Sequence, residues 1–284
     1  MTRRNSSLSD LQRPARQVAS HPWIDPLARF GYAAKGTVYF VVGLLAAQAA
    51  FTTGGRTTDT SGALTTIIQQ PFGILLLVLV TIGLIGYAIW RAVQTLFDPE
   101  HAGQERSPKR IVQRLGYGFS AIAYSGLALT AIKLILGTET REGNATQDWT
   151  ARFMAQPFGR WLVGLAGLVV IGVGLSYLFQ AYQARFQQHF KQHQMSQTER
   201  RWAKWLGQFG IAARGVVFGM IGLFLVLASL HANAREARGL GGALATLAQQ
   251  PFGSWLLGIV ALGFIAYSIY SLIEARYRRI IRPE

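Results

Sequence analysis

Chemistry in a chain this apolar has to come from its few polar side chains, because each one costs free energy in lipid and is kept for a reason. Lys133 interrupts an otherwise apolar run close to its end, and Gln48 holds the matching place in an earlier run. Together they would form a polar cluster on a transport pathway; alternatively, the aliphatic stem of Lys133 lets its ammonium snorkel to the interface. Three more glutamines, Gln70, Gln156 and Gln250, each open a Gln-Pro-Phe-Gly stretch. Facing one another they would line a shared vestibule, whereas singly each would cap the helix that follows. Lys35 and Arg214 stand at the mouths of apolar runs, where a cation marks topology and meets lipid phosphate. Glu274 lies near the end of the last run and has Arg278 one helical turn on, a spacing that suits an ion pair. His189 and His193 are four apart, a metal-ligand spacing on a helix, but Phe-Lys-Gln lies between them and no carboxylate is near. A metal site needs three or four ligands, so this pair reads as a solvated face.

No catalytic constellation accompanies these residues. The chain has no cysteine, hence no disulfide framework, thiol nucleophile or thiolate metal site. It carries no phosphate-binding P-loop, dinucleotide turn, nucleophile elbow or HExxH pair. The sequence therefore predicts no enzyme, no cofactor and no metal.

The elements that must position these side chains are membrane helices. Half the residues are apolar and only 14% are charged, against roughly 25% in soluble domains. Six stretches lack any charged residue: Gly36 to Gly55, Thr60 to Trp90, Leu115 to Ile132, Trp161 to Ala184, Gly215 to Ala234 and Gly239 to Ile273. Each reaches the roughly 18 residues that mark a transmembrane helix, so the fold class is all-α, a polytopic membrane protein of six helices. The expected helices run from about Tyr32 to Phe51, Pro71 to Leu96, Gly116 to Leu136, Pro157 to Tyr182, Phe209 to Leu230 and Pro251 to Ala275.

The formal charge of +15 is distributed by topology. Basic residues crowd the N-terminal tail (Arg3, Arg4, Arg13, Arg16, Arg29), the second connection (Arg91 to Arg114), the fourth (Arg185 to Lys204) and the C-terminal tail (Arg276 to Arg282). The other connections hold only Arg56; Arg141, Arg152 and Arg160; and Arg235 and Arg238. The positive-inside rule then predicts both termini in the cytoplasm. The bilayer, with anionic headgroups on that side, is the expected partner, alongside a membrane protein. The short connections leave no room for a nucleic-acid recognition fold. The polar segment before the first helix has no short apolar core ahead of a small-residue cleavage site, so no cleavable leader is predicted.

Gln-Pro-Phe-Gly fixes a repeat. Its prolines, Pro71, Pro157 and Pro251, are 86 and 94 residues apart, and Gly31, Gly116 and Gly210 keep that register ahead of the odd-numbered helices. Proline suits a first helical turn, so each copy reads as a helix start. Five, eight and twelve residues beyond those glycines stand Gly36, Tyr39 and Gly43; Ala121, Tyr124 and Ala128; and Gly215, Phe218 and Gly222. Those offsets lie on one helix face, small–aromatic–small in every copy. Small residues let helices approach closely in lipid, so this is the predicted packing face. Two crossings per repeat make the repeats parallel, three hairpins able to close into a pseudo-threefold bundle. The organisation reads as a mobile cytoplasmic tail (1–24), repeats at 25–100, 107–183 and 202–279, a polar linker (184–201) between the second and third, and a basic end (280–284).

These residues resemble a known family. Arg29-Phe-Gly-Tyr-Ala-Ala-Lys-Gly36 and its later version Gln208-Phe-Gly-Ile-Ala-Ala-Arg-Gly215 look like the repeat opening of the bacterial domain-of-unknown-function family 1206. Gly62-Ala-Leu64 through Gln-Pro-Phe-Gly73, with its counterpart from Gly241 to Gly253, is similar to the same family. The resemblance implies a bacterial inner-membrane protein of three two-helix repeats and implies no activity. The second repeat departs from the pattern, with Ser120 where Lys35 and Arg214 stand.

Two functions follow as expectations. The first is a structural bundle that binds partner proteins or lipids. The second is a channel or transporter with its pathway on the repeat axis, opposed by the scarcity of polar residues at mid-membrane. An axis filled by Tyr39, Tyr124 and Phe218 favours the first; a hollow one lined by Lys133 or the glutamines favours the second.

Overall fold

The computed structural model describes residues 23–52, 55, 57–97, 108–138, 145–184, 187 and 190–278. Residues 1–22 of the tail predicted mobile, the basic end at 280–284 and His189 lie outside them, and Ile24, placed in that tail by the sequence, begins a helix. The described residues form nine α-helices: α1 (Ile24–Phe51), α2 (Thr60–Ile68), α3 (Gly73–Phe97), α4 (Pro108–Ile135), α5 (Ala145–Met154), α6 (Gly159–Gln183), α7 (Gln197–Leu230), α8 (Leu240–Ala248) and α9 (Gly253–Tyr277). Six of these, α1, α3, α4, α6, α7 and α9, are long and apolar enough to cross a membrane. Lipid offers no hydrogen-bond partner to a backbone, so an apolar run must satisfy its own amides as helix. The chain is an all-helical, multi-pass membrane protein.

Three helices start earlier than their apolar runs. Helix α1 begins at Ile24, α4 at Pro108 and α7 at Gln197, rather than near Tyr32, Gly116 and Phe209. Hydropathy marks only the part of a helix inside hydrocarbon, and nothing in the preceding polar turns stops it. For α7 the start has a visible cause. The Ser196 side chain accepts from the Glu199 amide and the Glu199 carboxylate accepts from the Ser196 amide, a capping box. His193 falls in a 3-10 turn (Gln192–Gln194), outside any α-helix.

Gln-Pro-Phe-Gly is a turn and not a helical first turn, a correction to the sequence reading. The amides of Gly73, Gly159 and Gly253 donate to the carbonyls of Gln70, Gln156 and Gln250 at 2.8, 2.9 and 2.7 Å. Phe72, Phe158 and Phe252 sit at φ of 59°, 61° and 59°. Proline followed by a left-handed residue and an i to i+3 bond is a type II turn, whose third position ordinarily takes glycine. A phenylalanine held there costs on the order of 1–2 kcal/mol. The following glycine is forced by crowding, since a Cβ at Gly73 would lie 2.2 Å from the Ile68 carbonyl oxygen.

The crossing helices pack in chain order: α1 on α3, α3 on α4, α6 on α7, α7 on α9 and α9 back on α1. The sixth pair needed to close the ring, α4 on α6, is not packed in this way. Glycines record the difference. A Cβ on Gly31 would come within 2.7 Å of the Tyr87 backbone nitrogen, and one on Gly210 within 2.5 Å of that of Tyr267. At the equivalent Gly116 nothing lies within 4 Å. The hairpins of the first and third repeats are closed, whereas the two helices of the second stand apart. The most apolar windows of α4 and α6 are each only 17% buried within the protein, against 56% for α1 and 61% for α9.

The end carrying the turns is covered by the short helices. Helix α2 buries Ala63 and Leu64 completely, and α8 does the same with Ala243 and Leu244. Asp59 caps α2 by accepting from the amides of Ser61 and Gly62, both at 2.9 Å. The Thr57 hydroxyl beside it donates to the Gly241 carbonyl of α8. The opposite end, where α1 opens and α9 closes, is the basic end.

Candidate functional site

The predicted small–aromatic–small face does two jobs in the structure. Its glycines bring backbones together. A Cβ on Gly36 would meet the Ser268 carbonyl oxygen at 3.1 Å, and one on Gly43 that of Ala261 at 3.0 Å, both on α9. Gly215 and Gly222 face the carbonyls of Gly174 and Gly167 on α6, at 2.9 and 2.7 Å. In the second repeat Ala128 is buried and Ala121 partly so. The aromatic members between them point to where the six crossing helices converge. Tyr39 packs edge-on against Tyr267 (5.0 Å between centroids) and beside Phe264 (5.7 Å). Tyr124 meets Tyr87 of α3 at 4.6 Å, and Phe218 meets Tyr177 of α6 at 5.6 Å.

Cations are set among these rings. Lys35 is 1% exposed. Its ammonium donates to Glu274 Oε2 at 3.1 Å and to the Tyr267 hydroxyl at 3.2 Å. It also lies over the rings of Tyr32, Tyr87 and Tyr267 at 4.8, 5.2 and 5.0 Å. The other carboxylate oxygen of Glu274 accepts from Arg278, so one buried acid holds two cations. Removing one partner of a buried pair strands a charge and costs about 3–5 kcal/mol. Toward the basic end, Arg29 pairs with Asp25 and donates to the carbonyls of Ala275, Arg276 and Arg278, fastening the start of α1 to the end of α9. A cation at a helix C-terminus also complements the helix dipole.

Two further cations in the cluster have no carboxylate among the described residues. Arg91 donates to the Tyr87 hydroxyl and to Gln94 Oε1 and stacks over Tyr87 and Tyr117. Arg214 donates through Nη1 to the Tyr267 hydroxyl, the same oxygen that accepts a hydrogen bond from the Lys35 ammonium. Its guanidinium lies 4.5–5.4 Å from the ring centres of Tyr39, Tyr177, Phe218 and Tyr267. Its Nε is buried and has no hydrogen-bond partner among the described residues.

The residues singled out in the sequence for a pathway are elsewhere. Lys133, Gln48, Gln70, Gln156 and Gln250 are all exposed. Gln70 and Gln250 turn their side-chain amides back onto the carbonyls of Thr66 and Thr246, in the short helices they follow. They neither cap the next helix nor meet across an axis. Lys35, expected at lipid headgroups, is buried in an ion pair; its equivalent Arg214 is half-buried among aromatics. The reason is that a lysine at a helix mouth reads the same whether it faces lipid or the bundle, and its acid partner is 239 residues away.

Sequence reasoning missed Tyr87, Arg91 and Tyr267. Arg91 was counted with the topology-setting arginines. A signal was present in the register: Tyr87 and Tyr267 lie equally far beyond Pro71 and Pro251, and Glu274 is the one acid where the other repeats have Gln94 and Gln180. No group of three or more histidine or acidic residues able to hold a metal occurs among the described residues. Two shallow concavities lie at surface positions, one at Trp23 to Phe30 and one about the Phe72 turn.

The chain is similar in sequence to known proteins. The family described as Domain of Unknown Function (DUF1206) matches the chain three times, at residues 30–98, 115–184 and 209–278. A Bacillus subtilis (strain 168) protein, named Uncharacterized protein YxxB, is 38% identical over 257 residues, which cover 90% of this chain and 92% of that protein. No solved structure matches the chain significantly.

Proposed function

The chain belongs to the DUF1206 family, and from that premise we propose that it is a packed, non-conducting helical bundle whose work is binding lipids or partner proteins in the bacterial inner membrane. The observation that carries this reading is the filled convergence of the six crossing helices. Tyr39, Tyr87, Tyr124, Tyr177, Phe218 and Tyr267 meet there, with Lys35 and Arg214 held against their faces. A conducting pathway needs polar groups that exchange with water and passing ions, whereas Lys35 is committed to a buried acid and the turn end is covered by α2 and α8. The pathway reading would have used Lys133 and the three glutamines, which are exposed. In this proposal the basic end faces the cytoplasm, where its arginines meet anionic headgroups.

The absence of cysteine makes the test direct. Single cysteines at Tyr39 and Phe218 are treated with a membrane-impermeant maleimide in reconstituted vesicles opened to both sides. The expected outcome is no labelling at either, with full labelling of an exposed control at Phe72. Labelling at Tyr39 and Phe218 at the control rate would mean a water-filled axis and would overturn the proposal in favour of a channel.

A further inference from the structure

The first and third repeats place a cation at the same register position, and only one has its counter-charge. Lys35 reaches from α1 to Glu274 on α9, the even helix of the neighbouring repeat. The same step from Arg214 on α7 leads to the even helix of the second repeat, α6, where Gln180 stands in the position of Glu274. Gln180 is one turn beyond Tyr177, whose ring lies under the Arg214 guanidinium, so it is on the same side of α6. Within this cluster Lys35, Arg91 and Arg214 have one carboxylate, Glu274, among the described residues, and Lys35 holds it. Uncompensated charge in a low-dielectric interior is expensive, and the Arg214 Nε is a buried donor with no acceptor among the described residues.

We propose that Arg214 is the anchor of an anion site that takes a phosphate-bearing ligand, filled in the membrane by the headgroup phosphate of an anionic lipid. The proposal rests on the lipid-binding reading above and names its site. Guanidinium is suited to the ligand, since its planar fork matches two phosphate oxygens. The neighbouring tyrosine rings fix the plane of the fork and shield it from the hydrocarbon. Access follows from the unclosed ring: α6, which carries Tyr177 and Gln180, has no packed partner on its α4 side. Gln208 stands at the register of Arg29 and Arg114, which mark the basic end, and Arg214 is six residues deeper, about 9 Å along a helix. Its guanidinium is held on the rings of Tyr39, Tyr177, Phe218 and Tyr267, so the headgroup enters beside α6 to reach it.

The test uses the full chain, purified in detergent, with native mass spectrometry of retained lipid after equal exposure to phosphatidylglycerol and phosphatidylcholine. The wild type is expected to prefer phosphatidylglycerol, whose phosphate charge no choline ammonium offsets, by about ten-fold or more. R214Q loses that preference by about ten-fold. Q180E keeps the arginine, supplies it with an internal carboxylate as Glu274 does for Lys35, and is expected to lose the preference as well. Q180E therefore stays informative if R214Q does not fold. R152Q, at an exposed cation on α5 at the opposite end, leaves the preference unchanged. A second arm offers inorganic phosphate. Thermal protection of the wild type and not of R214Q or Q180E, without a lipid preference, would support the same site with free phosphate as its ligand. An unchanged phosphatidylglycerol preference in both variants overturns the Arg214 site and leaves the lipid-binding reading standing. Equal retention of the two lipids by the wild type, with no protection by phosphate, overturns both.

Discussion

Lys35 and Arg214 occupy equivalent positions in two copies of one repeat, and the structure treats them differently. Around Lys35 the bundle is closed. The cation is 1% exposed, its acid is 4% exposed, and α3 and α9 both pack on α1 about them. Around Arg214 α7 packs on both α6 and α9, and the bundle is open beyond α6, between α6 and α4. The cation is half-buried, rests on aromatic faces and has one hydroxyl acceptor, which it shares with Lys35. A repeat therefore supplies equivalent backbone positions without supplying equivalent electrostatics. One substitution, acid or amide at the register of Glu274, separates an internal lock from a cation that has charge to spare.

The largest effect that would break this contrast lies at the lock. E274Q strands Lys35 and takes from Arg278 its buried acid, and is expected to lower unfolding stability by about 3–5 kcal/mol, read as the thermal or denaturant midpoint in detergent. Adding K35M to E274Q is expected to return part of that loss, because the stranded ammonium is removed.

A middle-sized effect compares the closed and open hairpins. G31A and G210A push a methyl into the backbones of Tyr87 and Tyr267 and are expected to cost about 1–3 kcal/mol by overpacking. G116A meets open space, and alanine is the better helix former by about 1 kcal/mol, so it is expected to be neutral or slightly stabilising. Equal losses at all three glycines would mean that α4 and α6 close against each other as the other hairpins do.

Much of the architecture was legible because lipid restricts the choices. Six charge-free runs can only be six helices, and the threefold recurrence of Gln-Pro-Phe-Gly sets their grouping. The small–aromatic–small face was readable for the same reason: offsets of 5, 8 and 12 share one side of a helix, and glycine there has few other uses in a bilayer. What could not be read was which way a charge faces. Lys35 and Lys133 look alike in sequence, each a cation near the end of an apolar run, yet Lys35 is buried against an acid and Lys133 is exposed. The turn was misread because proline is compatible with both a helix start and a type II turn. Only the left-handed Phe72, Phe158 and Phe252 decide between them, and phenylalanine carries no sign of that conformation. The opening between α4 and α6 was hidden as well, since Gly116 is a conforming member of its repeat position and differs only in having nothing against it.

The most direct measurement of the account's central claim is the unfolding midpoint of R214M beside that of E274Q, in one detergent free of added anionic lipid. Arg214 has no internal acid to strand and its aromatic neighbours accept a long apolar side chain, so R214M is expected to change stability by less than about 1 kcal/mol, where E274Q loses several. A loss in R214M as large as that in E274Q would show that Arg214 is locked internally as Lys35 is, and would contradict the account.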